Sequence, residues 1–185
     1  IFKDWLESFV RVFFIPIPKT FIEEVRKAKG KLASAIIWLV LLTSFIHLFG
    51  YVYLNVTFPL LTTLIVIIVF PIIFLLYVYC VHLLYQRLFH RKKYLYNELL
   101  YVMVSIFVPF VLIDLYLSLI PHIGKLASEI AFLYPAILII VAIKSICKLT
   151  AWQSLVTFIL ATILGGFGFF CIPVCLMSLL GTVPG

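Results

Sequence analysis

The chain predicts an all-α polytopic membrane protein: five transmembrane helices preceded by amphipathic interfacial helices, N-terminus cytosolic, C-terminus outside. Three observations predict it. Of 185 residues, 65% are hydrophobic and only 11% charged, whereas soluble domains run at roughly 45–50% apolar and about 25% charged. Five stretches meet the requirement of roughly 20 apolar residues for a helix that crosses a bilayer. The basic residues, finally, fall on alternate connections between those stretches. The organisation expected is a basic membrane-surface segment, 1–31, and a five-span bundle, 32–185.

The front segment comes first. Phe2, Trp5, Leu6, Phe9, Val10 and Phe13 recur at helical spacing on one face, with Lys3, Asp4, Glu7, Ser8 and Arg11 on the other. That pattern describes a helix lying in the interface with its apolar side toward the acyl boundary. It carries Asp4 and Glu7 and has no unbroken apolar core, unlike a secretory signal. Pro16 and Pro18 stop this helix and force an extended turn. Thr20 then opens a second helix, because "TFIE" has the spacing of a capping box between Thr20 and Glu23. Its stripe is Phe21, Ile22, Val25 and Ala28, opposite Glu23, Glu24, Arg26, Lys27 and Lys29. Gly30 either marks the joint with the first span or lies inside one continuous helix.

The spans follow at about 32–49, 58–84, 99–120, 126–147 and 152–180. Lys3, Arg11, Lys19, Arg26, Lys27, Lys29 and Lys31 precede the first. Arg87, Arg91, Lys92 and Lys93 lie between the second and third, and Lys144 and Lys148 at the junction of the fourth and fifth. Only Lys125 falls on the other side. The positive-inside rule therefore makes the N-terminus cytosolic. Tyr51, Tyr53, Tyr94, Tyr96 and Trp152 sit where an interfacial aromatic belt belongs. Pro71, Pro109 and Pro135 each remove a helix hydrogen bond and are expected to kink or loosen their spans. "GGFG" at 165–168 supplies small residues for close helix approach. It lacks the strand before it and the Lys–Ser/Thr ending of a phosphate loop.

Charge of this kind reports topology and lipid contact. A net charge of +7 flanking membrane spans points away from nucleic acid, and no stacking aromatics are interleaved with it. Lys19, Arg26, Lys27, Lys29, Lys31, Arg87, Arg91, Lys92 and Lys93 are the candidate lipid- or partner-facing basic residues. The inventory for catalysis is thin. There is no G-x-S-x-G, no H-E-x-x-H and no pair of carboxylates, so no enzyme is expected. Cys171 and Cys175 stand one helical turn apart without the four converging ligands of a structural zinc site, and i, i+4 helical geometry rarely suits a disulfide. No metal and no cofactor are expected.

Asp114, in "PFVLIDLYLSLIP", is the polar residue that stands out, because intramembrane carboxylates are costly and mark function by default. One reading is structural: a pair with His47 or Lys125, a neighbour in His122, or hydration from the outer surface. The sharper reading is a protonatable group lining a polar cavity. Asp114 and His47 are the candidate intramembrane polar residues. Glu98 belongs to the first turn of the third span, where the helix dipole favours an acid.

Pro18, Thr20 and Phe21 stand ahead of Ala33 and Ala35, "NELLYVMVSIFVPF" opens the third span and "AIKSICKLTAWQS" closes the fourth. These local patterns resemble the Yip (Ypt-interacting protein) domain family of five-span membrane proteins, whose "P-x-x-T/A-F" entry is met here with one residue fewer between Pro18 and Thr20. The polar opening of the third span appears as "NELLYVMVSIFVPF", with Glu98 and Pro109. The polar-basic end of the fourth appears as "AIKSICKLTAWQS", with Lys144, Lys148 and Ala151. Eukaryotic relatives carry a "DLYGP"-type signature linked to Rab-type GTPases; here that region reads "YLYNELL". The resemblance implies a prokaryotic-type member in a cell membrane, the alternative being a eukaryotic endomembrane such as Golgi or ER. It implies a non-catalytic membrane scaffold or interaction protein, with membrane lipids and a protein partner or a second copy as partners. The alternative function is a small transporter or channel-like protein using Asp114 and the proline-broken helices.

Overall fold

The computed structural model describes residues 2–53, 60–89, 96–118, 120 and 133–179; within these, the side chains of 2, 47, 50–53, 60–62, 65, 66, 118 and 166–179 lie outside the description. The described residues form seven helices: α1 (Phe2–Phe14), α2 (Pro18–Lys27), α3 (Leu32–Tyr53), α4 (Leu60–Phe89), α5 (Tyr96–Ser118), α6 (Leu133–Cys147) and α7 (Ala151–Leu179). Ile67–Phe89 of α4 and Tyr96–Leu117 of α5 are long and apolar enough to cross a membrane. The count rises to four if α2 with α3, and α6 with α7, are each one bent span.

The two bends have distinct local causes. Between α2 and α3 the axis turns by 108° at Gly30, whose φ of +76° is left-handed and open to glycine without a Cβ penalty. Gly30 therefore marks a joint. Between α6 and α7 the axis turns by 119°. Lys148 takes the left-handed cap conformation (φ +52°), and the Leu149 amide donates back to the Lys144 carbonyl at 3.1 Å, closing α6. A reciprocal cap then opens α7: the Thr150 amide donates to Gln153 Oε1 at 3.0 Å, and the Gln153 amide to Thr150 Oγ1 at 3.3 Å.

The centre of the molecule is α5, which packs against α1, α2, α3, α4 and α6. Its residues Leu99–Ile106 are eight consecutive buried positions, as a helix surrounded on all sides requires. Beyond Phe110 the enclosure opens, and Val111–Leu115 are half-buried while Tyr116 is exposed. On the far side α4 lies along α3 and α7. A Cβ at Gly165 would stand 2.8 Å from Tyr77 Cδ2, so this glycine permits the close approach of α7 to α4. The side chains of 166–168 lie outside the described residues.

Both α4 and α5 continue through Pro71 and Pro109. Pro135 is buried in α6; residues 126–132 of the fourth predicted stretch lie outside the description.

Candidate functional site

The helix α1 carries Trp5, Ser8, Phe9 and Val12 at i, i+3, i+4 and i+7, and among its described side chains these four are buried. Trp5 and Phe9 pack with Trp38 of α3 (ring centroids 6.2 and 5.3 Å away), and Trp5 with Tyr101 of α5 at 4.5 Å. Trp5 Nε1 donates to Ser34 Oγ at 3.2 Å. The apolar face read from the sequence is thereby divided. Trp5 and Phe9 turn into the bundle, whereas Leu6 and Val10 are exposed. Periodicity shows that a helix is amphipathic, but not which part of a wide apolar face meets protein.

The second helix begins at Pro18, with Ile17 as its N-cap and no side-chain cap bond. Thr20 and Glu23 therefore do not form the expected capping box. Proline at the first helical position has φ preset and needs no donor there, so the helix starts two residues early. Thr20 is consequently buried within it, and Glu23 is taken by Arg11. The inward face of α2 is Thr20, Phe21, Glu24 and Ala28, and Ile22, expected on that face, is exposed.

Ser8 and Glu24 are the residues that sequence reasoning missed. Each is expected on a polar face, yet Ser8 is 0% exposed and so is Glu24. Ser8 Oγ donates to Glu24 Oε2 at 2.6 Å, and Lys27 Nζ to its Oε1 at 3.0 Å. Arg11 Nη1 stands 3.8 Å from Oε1. The Ser8 oxygen is also 3.0 Å from Tyr101 Oη. Ser8 spends its one hydrogen on the carboxylate, so Tyr101 is the donor in that contact. One chain of hydroxyls, Tyr101 to Ser8 to Glu24, thus joins α5, α1 and α2. The sequence held a signal: Ser8 falls on the Trp5–Phe9–Val12 series, and Glu24 lies four residues from both Thr20 and Ala28.

Charge pairs ring this cluster. Lys27 Nζ is 3.9 Å from Glu7, and Lys31 Nζ is 3.9 Å from Asp4 and 5.7 Å from the Tyr101 ring centroid. Arg11 pairs with Glu23. Their hydrogen bond raises the guanidinium pKa and holds the Glu23 carboxyl below its ordinary value. Tyr134 of α6 donates to the Phe13 carbonyl at the end of α1. The arrangement fastens a charged helical hairpin to an apolar bundle. Among the described residues, no group of three or more His, Cys, Asp or Glu is placed to hold a metal.

The predicted basic residues separate accordingly. Lys27 and Lys31 turn into these pairs. Arg26, Lys29 and Arg87 are exposed, and Lys19 is 80% exposed with Glu23 at 4.0 Å. Arg91, Lys92 and Lys93 lie outside the described residues. Asp114 is half-buried on the open half of α5. It lies thirteen residues beyond Tyr101, about 20 Å along the axis at 1.5 Å per residue. His122, Lys125 and the His47 side chain lie outside the described residues.

The model of the Yip1 domain family matches residues 11–172. No curated protein and no solved structure matches the chain.

Proposed function

Because the chain belongs to the Yip1 domain family, we propose that this integral membrane protein is a non-catalytic scaffold with five membrane spans and a cytosolic N-terminus. In this reading α1 and α2 present a basic cytosolic face to anionic lipid and to a protein partner or second copy. One observation carries it. The hairpin is fastened to α5 through the buried Glu24–Ser8–Tyr101 chain, while Lys19, Arg26 and Lys29 point outward. A rigidly mounted basic surface suits recognition, since each Lys or Arg near anionic lipid contributes about 1 kcal/mol. By the positive-inside rule Arg87, Arg91, Lys92 and Lys93 are proposed for the same side of the membrane. "YLYNELL", in place of a "DLYGP"-type signature, argues against a Rab-type GTPase as the partner, and a prokaryotic-type member in a cell membrane remains part of the proposal.

The test compares native protein, Asp114→Asn and the triple variant Lys19→Gln/Arg26→Gln/Lys29→Gln, each tagged and purified in mild detergent. The scaffold reading expects a co-purifying partner, self-association or bound anionic lipid in the first two and its loss in the third. Solute flux in proteoliposomes that Asp114→Asn abolishes would overturn it in favour of a transporter.

A further inference from the structure

We infer that the elbow between α1 and α2 is inserted among the acyl chains of the leaflet that its basic neighbours face. The inference rests on the scaffold reading for the hairpin's place at the cytosolic membrane surface, and adds a depth and an occupant. Three faces can be distinguished on α1. Trp5, Ser8, Phe9 and Val12 face the bundle, Asp4, Glu7 and Arg11 form ion pairs with the α2–α3 segment, and Leu6, Val10 and Phe14 form an exposed apolar row at intervals of four. That row runs into the elbow, where Phe14 is 71%, Ile15 51% and Ile17 50% exposed. No charged residue occurs from Val12 to Pro18.

Hydrogen bonding separates this elbow from an ordinary surface turn. Non-helical backbone is tolerated at membrane depth only if its polar groups are satisfied without water. From Ile15 to Pro18 every backbone donor, the group costlier to leave unbonded, is bonded or absent, and the Ile15 and Ile17 carbonyls accept from the Ile17 and Thr20 amides. The Ile15 amide donates to the Arg11 carbonyl at 2.9 Å and the Ile17 amide to the Ile15 carbonyl at 2.8 Å, while Pro16 and Pro18 have no N–H. The Phe13 carbonyl, which α1 leaves without a helical partner, is taken by Tyr134. A protein partner reading backbone would find no donor there, whereas acyl chains ask for none.

The contact with α6 sets the depth. Phe13 meets Tyr134 ring to ring, with centroids 4.9 Å apart. Tyr134 lies ten residues, about 15 Å of helix, from Lys144 at the basic end of α6. The elbow therefore meets α6 at the end remote from its basic residues. Arg11 is neutralised by Glu23, and Lys19 stands 4.0 Å from the same carboxylate.

The test is collision accessibility of nitroxide labels at Phe14→Cys, Ile17→Cys, Arg26→Cys and Lys29→Cys, in a background with the four native cysteines replaced by alanine. Vesicles are of neutral phospholipid, with and without added anionic phospholipid. The expected result is that oxygen outweighs a water-soluble nickel chelate at 14 and 17, and the chelate outweighs oxygen at 26 and 29. Chelate dominance at 14 and 17 overturns the inference. So does shielding from both reagents, which means protein covers the elbow. Failure of the scaffold reading has a separate signature: labels at 26 and 29 indifferent to anionic lipid while those at 14 and 17 report insertion. Photo-crosslinking of the native chain with lipid carrying a diazirine at the acyl terminus needs no substitution. Adducts at 14–17 are expected, and adducts there only from a headgroup diazirine overturn the inference.

Discussion

The two halves of α5 are similarly apolar in sequence and differently placed in the molecule. Leu99–Ile106 is enclosed, with α1 and α2 folded onto it, and its Tyr101 meets Ser8 across 93 positions of chain. Val111–Tyr116 is half-open and carries Asp114. Each half has a carboxylate associated with it, but in opposite senses. Glu24, ordinary in its charged surroundings in the sequence, is the one driven into the interior. Asp114, conspicuous among apolar neighbours, is the one left half-accessible. Contrast with neighbours in sequence therefore ranks the two in the reverse of their burial. A buried carboxylate persists only where donors from several elements converge on it, as Ser8 and Lys27 do on Glu24.

If the enclosed half depends on the hairpin, removing the hairpin's anchor should have the largest effect. Trp5 is fully buried against Phe9, Trp38 and Tyr101. Trp5→Ala is expected to cost about 3–5 kcal/mol, the usual range for a core tryptophan truncated to alanine. Amide hydrogen exchange in nanodiscs should show protection lost in α1, α2 and Leu99–Ile106 and kept in 111–116. Uniform loss over both halves would break the comparison, because α5 would then be one cooperative unit.

Glu24→Ala comes next. It leaves the buried Ser8 hydroxyl without its acceptor and takes one of the two carboxylates from Lys27, at about 2 kcal/mol for an unsatisfied buried donor. Ser8→Ala removes the middle of the chain and leaves the carboxylate its lysine, so about 1 kcal/mol is expected. Both are read as shifts in denaturation midpoint in the same detergent. A Ser8→Ala effect at or above that of Glu24→Ala would place the anchor in the Tyr101 contact and not in the carboxylate.

The long apolar helices were legible because a bilayer-length run of apolar residues is a property of the local sequence. Among the described residues α3, α4, α5 and α7 are helices of 22, 30, 23 and 29 residues with that composition. The site was less legible for a physical reason. Ser8 and Glu24 are polar residues at positions of helical period that happen to face another helix, and only the tertiary contact with Tyr101 makes them interior. A lone Ser or Glu on an amphipathic helix is ordinarily solvated. Gly30 carried both outcomes in the sequence, and its left-handed φ decides for the joint.

Acid sharpens the comparison from the side of charge. Arg11 holds the Glu23 carboxyl below its ordinary value of 4.5. A carboxylate with a depressed folded pKa contributes stability that is present above its unfolded pKa and lost as pH falls through the lowered folded value. Protection of the hairpin should therefore fall as pH drops below the ordinary carboxylate range. Glu23→Gln should be less protected at neutral pH and converge with native protein in acid. Parallel curves for the two proteins would show that other carboxylates govern the acid loosening.

The smallest effect is expected at Asp114. Asn keeps the shape and an acceptor oxygen while removing the charge, and the position is half-buried, so a change of less than about 1 kcal/mol is expected. Glu24→Gln is the matched substitution. It exchanges a charged acceptor for a neutral one where water is excluded, and hydrogen bonds to charged groups are worth about twice neutral ones. Glu24→Gln should therefore lower the denaturation midpoint more than Asp114→Asn. The reverse order would mean that the open half of α5 holds the more demanding electrostatic site, and proteoliposome flux with Asp114→Asn would then become the decisive assay.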